Sequence, residues 1–196
     1  MTPSSEKIRS IVLVGVFSAV SYLIMLFGFS ILPGAPFLKL DFSEIPVLLV
    51  MFVSGPVNGI IVELIKNILH YGFQSSLTGI PIDQFANFVA GLMYTMPLYY
   101  FYKRGLFQNR KGIIISISLT TLILVVGMSL FNYFILLPSY YYFAGLEKFT
   151  NEGLRTYLML IIVPFNIIKA IGVSLVFVLL YPKVKTIKGL FGRRTK

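Results

Sequence analysis

Four polar side chains, Glu63, Lys66, Asn67 and His70, recur at i, i+3, i+4 and i+7 inside the apolar run Val57–Tyr71. That spacing places all four on one face of a helix. Glu63 and Lys66 sit one turn apart, so they can pair and offset much of the cost of burying either charge. The stripe is either a polar seam against neighbouring helices or, in part, the lining of a cavity. His70 reads as a hydrogen-bonded packing residue rather than a metal ligand. A second group lies in Pro164-Phe165-Asn166-Ile167-Ile168-Lys169, where Asn166 and Lys169 project from one face. Lys169 stands about twelve residues before Tyr181, too deep in its apolar run to reach water easily. It needs an acid, carbonyls, or a ligand that supplies acceptors. Asn132, in Leu130-Phe131-Asn132-Tyr133, and Asn87, four residues after Asp83, can join the same polar wall.

These residues suit binding better than catalysis. Asparagine amides donate and accept, whereas lysine only donates. Together they match a planar, uncharged heterocycle whose rim carries carbonyls, ring nitrogens and N–H groups. No serine or threonine nucleophile stands beside an obvious base, and no carboxylate pair has metal-ligand spacing. The chain has no cysteine and one histidine, which excludes disulfides, thiolate metal sites and multi-histidine centres. It also lacks a GxxxxGK[ST] loop, so nothing in it is expected to hydrolyse ATP.

The elements that must position these groups are membrane helices. Of 196 residues, 57% are hydrophobic and only 12% are charged. At about 20 apolar residues per crossing, that excess suggests five or six spans and no separate soluble domain. Four long runs are clear: 11–32, 82–102, 113–137 and 157–181. Two shorter ones, 45–53 and 57–71, flank Ser54-Gly55-Pro56 and read as two short spanning helices or one re-entrant hairpin. The first run is too long for a signal-peptide core and no A-x-A site closes it, so it is expected to remain as a helix. The segment from Pro138 to Glu152 reads as a long outer loop. Its Tyr140, Tyr141 and Tyr142 would form either an interfacial aromatic belt or a lid.

Charge sets the orientation. Lys7, Arg9, Lys103, Arg104, Arg110, Lys111, Lys183, Lys185, Lys188, Arg193, Arg194 and Lys196 fall on one side if there are six spans. Asp41, Glu44, Asp83, Glu147 and Glu152 fall on the other. The positive-inside rule then puts both termini in the cytoplasm. It also explains most of the formal +10 without invoking nucleic acid. The expected fold is an all-α membrane protein, a six-transmembrane-helix bundle forming one integral domain over 1–196. On the first helix, Gly15 and Ala19 make a small-xxx-small step with Ser18 on the same side, suited to internal packing or to docking another subunit.

The ordered set Phe37-Leu38-Lys39-Leu40-Asp41-Phe42-Ser43-Glu44-Ile45-Pro46, Gly55-Pro56, Glu63-Leu64-Ile65-Lys66-Asn67, Phe131-Asn132-Tyr133 and Pro164-Phe165-Asn166-Ile167-Ile168-Lys169 resembles the riboflavin-specific S components of energy-coupling-factor (ECF) transporters. The resemblance covers nearly the whole chain. It implies a substrate-capture subunit of a vitamin importer in the prokaryotic plasma membrane, with riboflavin as transported ligand and no cofactor of its own. It also implies a transmembrane coupling subunit and two ABC ATPases as partners. By position, Asn132, Asn166 and Lys169 would bond the polar edge of the isoalloxazine ring. Leu38, Lys39, Leu40 and Asp41 would cover it, and Glu147 would lie near the ribityl hydroxyls. The family's AxxxA docking step reads Gly15-xxx-Ala19 here. Two other readings stay open on the residues alone. One is an S component for thiamin or a folate. The other is a small intramembrane enzyme using Glu63, Lys66 and His70 as acid–base groups, although no nucleophile or metal set completes it.

Overall fold

A computed structural model describes residues 3–32, 35, 38–74, 79–143, 145 and 147–192. Phe37, Arg193, Arg194 and Lys196 lie outside the described residues. Six helical rods run through them. They are α1 (Pro3–Leu26), α2 (Glu44–Ser54), α3 (Pro56–Gln74), α4 (Ile82–Lys103), α5 and α6. The α5 rod runs as Arg110–Phe131, a π-helical turn Asn132–Leu136, then Leu137–Phe143. The α6 rod runs as Asn151–Tyr157, a π-helical turn Leu158–Ile162, then Val163–Gly192. Three helical stretches, Lys7–Leu26, Arg110–Phe143 and Asn151–Val184, are long and apolar enough to cross a membrane. Their outer faces carry exposed Ile11, Val12, Leu122, Val126, Leu175 and Leu179, an apolar surface that lipid would cover.

The middle of the bundle is α2. Eight of its eleven residues are buried, and it packs against α1, α3, α4 and α6. A helix that is apolar on every side belongs inside such a fold. It ends at Gly55, whose φ of 103° an L side chain rarely adopts, and whose N–H closes on Met51 O at 3.0 Å. Pro56 then opens α3, where its missing N–H costs nothing. The two short runs are therefore two separate helices. Beyond Phe52, near the C-terminal end of α2, an aromatic cluster of Tyr102, Phe107, Phe177 and Tyr181 fills one end of the bundle.

Two boundaries differ from expectation. The first helix stops at Leu26 rather than Leu32, tightened by Phe27 N–H to Ile24 O and Gly28 N–H to Met25 O, both 3.1 Å. The chain then forms a two-residue strand β1 (Phe29–Ser30), which pairs antiparallel with β2 (Lys39–Leu40), Phe29 opposite Leu40. Nor is Pro138–Glu152 a loop throughout, because α5 continues to Phe143 and α6 starts at Asn151. The π turn explains how Pro138 is tolerated. Leu137 N–H bonds five residues back to Asn132 O, and the widened turn makes room for a residue with no N–H.

Candidate functional site

At the end of the bundle opposite the aromatic cluster, α4, α5, α6 and the residues entering β2 enclose a cleft. Its empty volume is about 580 Å³, counting the solvent at its mouth. Deep in it stand Asn132 from α5 and Asn166 and Lys169 from α6, all buried. Each asparagine follows or opens a π turn and donates its Nδ2 to the carbonyl four residues back, Met128 O and Ile162 O, at 2.8 Å in both cases. The side-chain amides are thus held by their own helices, and their carbonyl oxygens are the groups to offer a ligand. π turns concentrate at functional sites for this kind of re-aiming. Asn87, Ala86 and Ala90 of α4, Met128, Leu136 and Phe165 complete the inner walls. Leu38 and Lys39 lie over them, with Asp83 and Tyr140 toward the mouth.

Lys169 does not wait for a ligand to supply its acceptors. Its Nζ lies 2.8 Å from Glu44 Oε1 and 3.7 Å from Asp41 Oδ2. Of the partners left open by the sequence, the protein thus supplies acids, and a ligand is not needed to satisfy the ammonium. Glu44 opens α2, where a carboxylate also complements the helix dipole. The same Glu44 oxygen is 4.0 Å from Lys66 Nζ, and Lys66 is 2.7 Å from Glu63 Oε1 and donates to Ser43 Oγ at 3.0 Å. Asn67 donates to Glu63 O at 2.8 Å and to Glu63 Oε1 at 3.1 Å. Three acids and two lysines thus form one buried network joining α2, α3, α6 and the loop before α2. Burial alone would raise the Asp41 carboxyl, but Lys169, Lys66 and the Ser43 N–H (2.8 Å) together hold it below the usual carboxylate range.

The α3 stripe is consequently an interior seam and does not line the cleft. Glu63, Lys66 and Asn67 are buried, while His70 is half-buried and meets Gln84 at 3.1 Å. Gly91 makes the close approach possible, since a Cβ there would collide with the Glu63 carboxylate. No His, Cys, Asp or Glu cluster among the described residues could hold a metal ion.

Of the residues singled out from sequence, the structure gathers Leu38, Lys39, Asn87, Asn132, Asn166 and Lys169 around the cleft. Leu40 is buried just beyond it, Asp41 reaches it only through Lys169, and Glu147 lies exposed between α5 and α6. Asp41 and Glu44, read by charge pattern as loop acids, are 4% and 1% exposed. Glu44 was missed as a site residue because a lone acid before an apolar run carries no pairing signal. Tyr140, read from the sequence as part of either a belt or a lid, lines the cleft, and its hydroxyl bonds Asp83 Oδ1. Gly15 and Ala19 lie on an exposed face of α1, whereas Ser18 points into the bundle, so the three do not share a side.

A helical bundle with an apolar outer surface, a polar, partly enclosed cleft and no catalytic set among the described residues has the form of a membrane protein that binds a small solute. Residues 9–181 match the family described as ECF transporter, substrate-specific component, and the chain belongs to that family. It is a transporter component and not an enzyme. The chain is 37% identical over 180 residues to the riboflavin transporter FmnP of Bacillus subtilis (strain 168), covering 91% of this chain and 93% of that protein. It is 38% identical over 179 residues to the riboflavin transporter RibU of Staphylococcus aureus (strain TCH60), covering 91% and 92%. A solved chain from work on the structure and mechanism of the S component of a bacterial ECF transporter matches with a TM-score of 0.72 at 35% identity. That match covers 92% of this chain and 97% of the other.

Proposed function

We propose that this protein is the riboflavin-capturing S component of an ECF importer, and that the cleft is its riboflavin site. The observation that carries the reading is the convergence of Asn132, Asn166 and Lys169 at the floor of one cleft, in a chain whose relatives are named riboflavin transporters. In this reading the two amide oxygens and the Lys169 ammonium meet the alternating donors and acceptors of the isoalloxazine edge, and Phe165, Met128 and Leu136 cover the ring's faces. Asn87 extends the polar wall. Leu38 to Asp41 close over the ring, and Glu147 faces the outer solvent near the chain of hydroxyls. A site that bonds particular edges rejects analogues that leave those groups unpaired.

The same reading places residues 1–196 in the cell membrane as one domain of six spans, with both termini in the cytoplasm. The basic residues before α1, between α4 and α5, and after α6 support it. Energy would come from a transmembrane coupling subunit and two ABC ATPases, because this chain has no P-loop. The exposed small step at Gly15 and Ala19 is the surface offered to the coupling subunit. Purified protein is expected to bind riboflavin tightly, read as flavin absorbance that co-purifies and as a calorimetric titration. Micromolar or weaker binding, or displacement of riboflavin by equimolar thiamin or folate, refutes the reading.

A further inference from the structure

The mouth of the cleft differs chemically from its floor. The floor is buried and consists of amides and a lysine that is already ion-paired. The mouth holds a carboxylate: half-buried Asp83, fixed by the Tyr140 hydroxyl that donates to its Oδ1. A ligand whose flat polar edge meets the floor must direct its remaining substituent toward Asp83. A carboxylate accepts hydrogen bonds from hydroxyl groups and repels phosphate, so this residue has a direct bearing on which form of the ligand fits. We propose that Asp83 is a specificity determinant that admits a neutral polyol tail and rejects a phosphorylated one, so that the free vitamin is taken in preference to its phosphate ester. The inference rests on the riboflavin reading above.

Two features favour the carboxylate over its surroundings. Asp83 lies in the first turn of α4, the place where a helix would otherwise attract a phosphate through its free N–H groups and dipole. The protein's own carboxylate occupies that role. The opposing charge at the mouth is Lys39 of β2, which is exposed. Its flexible ammonium is screened by solvent, while Asp83 is held in place by Tyr140 from the neighbouring helix. At the mouth, therefore, the fixed negative charge outweighs the mobile positive one.

The test compares dissociation constants for riboflavin and flavin mononucleotide in the purified full chain, read by quenching of flavin fluorescence. The wild type should prefer riboflavin, and Asp83→Asn should lower that preference about tenfold, the size expected for one charge facing a phosphate dianion through partly aqueous surroundings. Asp83→Ser removes the charge by a different side chain and should shift the ratio the same way. Tyr140→Phe keeps the charge but releases it, and should lower the ratio by less than Asp83→Asn does. Equal wild-type affinities overturn the proposal. So does a ratio unmoved in both Asp83 variants, or one moved by Lys39→Met and not by Asp83→Asn. A wild type that binds riboflavin with an unmoved ratio defeats this inference alone, whereas failure to bind riboflavin at all defeats the riboflavin reading and this one with it.

Discussion

Two lysines lie inside this bundle, and Glu44 touches both, yet their surroundings differ. Lys66 is fully buried, with Glu63 at 2.7 Å, Ser43 at 3.0 Å and Glu44 at 4.0 Å. Lys169 is 6% exposed, pairs with Glu44 at 2.8 Å, and lines the cleft beside Asn166. The first environment is closed, and all the partners around it belong to the protein. The second leaves one side of the ammonium toward a space that a ligand can enter. A buried charge in a membrane helix therefore does not by itself mark a binding site; the open side does.

The largest effect should follow from breaking the closed cage. Lys66→Met leaves Glu63 buried without its 2.7 Å partner, while Glu44 keeps Lys169. Removing one partner of a buried pair typically costs about 3–5 kcal/mol. Thermal unfolding in detergent should show a loss of that order, and a loss below about 1 kcal/mol would mean that the network stabilises little. Lys169→Met also takes from Glu44 its 2.8 Å partner, and both it and Asn166→Leu should act on the ligand as well. Each removes a buried hydrogen-bond partner, worth about 1–3 kcal/mol, or roughly five- to 150-fold in riboflavin affinity. Calorimetry reads it directly, and unchanged affinity in both variants would take these residues out of the site. The contrast between the lysines would also collapse if Lys66→Met weakened binding more than Lys169→Met once folded protein is counted.

Much of this architecture is legible in the amino-acid sequence. The apolar runs located the middle of each of the six rods, because so few polar residues interrupt them. The i, i+3, i+4 spacing of Glu63, Lys66 and Asn67 correctly put them on one face, and Asn166 with Lys169 likewise. What periodicity cannot carry is contact between distant segments. Glu44 meets Lys169 across 125 positions (169 − 44) only because α2 threads the centre of the bundle. The π turns were equally hidden, since no residue type signals an i→i−5 bond. They extend α5 far enough for Tyr140 to reach Asp83, which is why a helical segment read as a loop.

The same distinction between a closed and an open face recurs on α1, where the expected effects on the isolated chain are smallest. Val14, Ser18, Ser21 and Met25 form the inner face, and Ser21 Oγ donates to Ser43 O at 2.7 Å. Gly15 and Ala19 face outward, and a Cβ on Gly15 would meet nothing within 4 Å. Gly15→Leu therefore has room and should change stability by no more than about 0.5 kcal/mol, as surface substitutions do. Ser18→Leu, forced into a packed interior, should cost about 1–3 kcal/mol. If the outer step receives a partner helix, Gly15→Leu must nevertheless reduce co-purification with the coupling subunit, because a leucine there holds the two backbones apart. Normal co-purification of Gly15→Leu would reduce this face to lipid contact. A loss of assembly with stability intact would show that α1 carries its partner surface on the side its own bundle leaves uncovered.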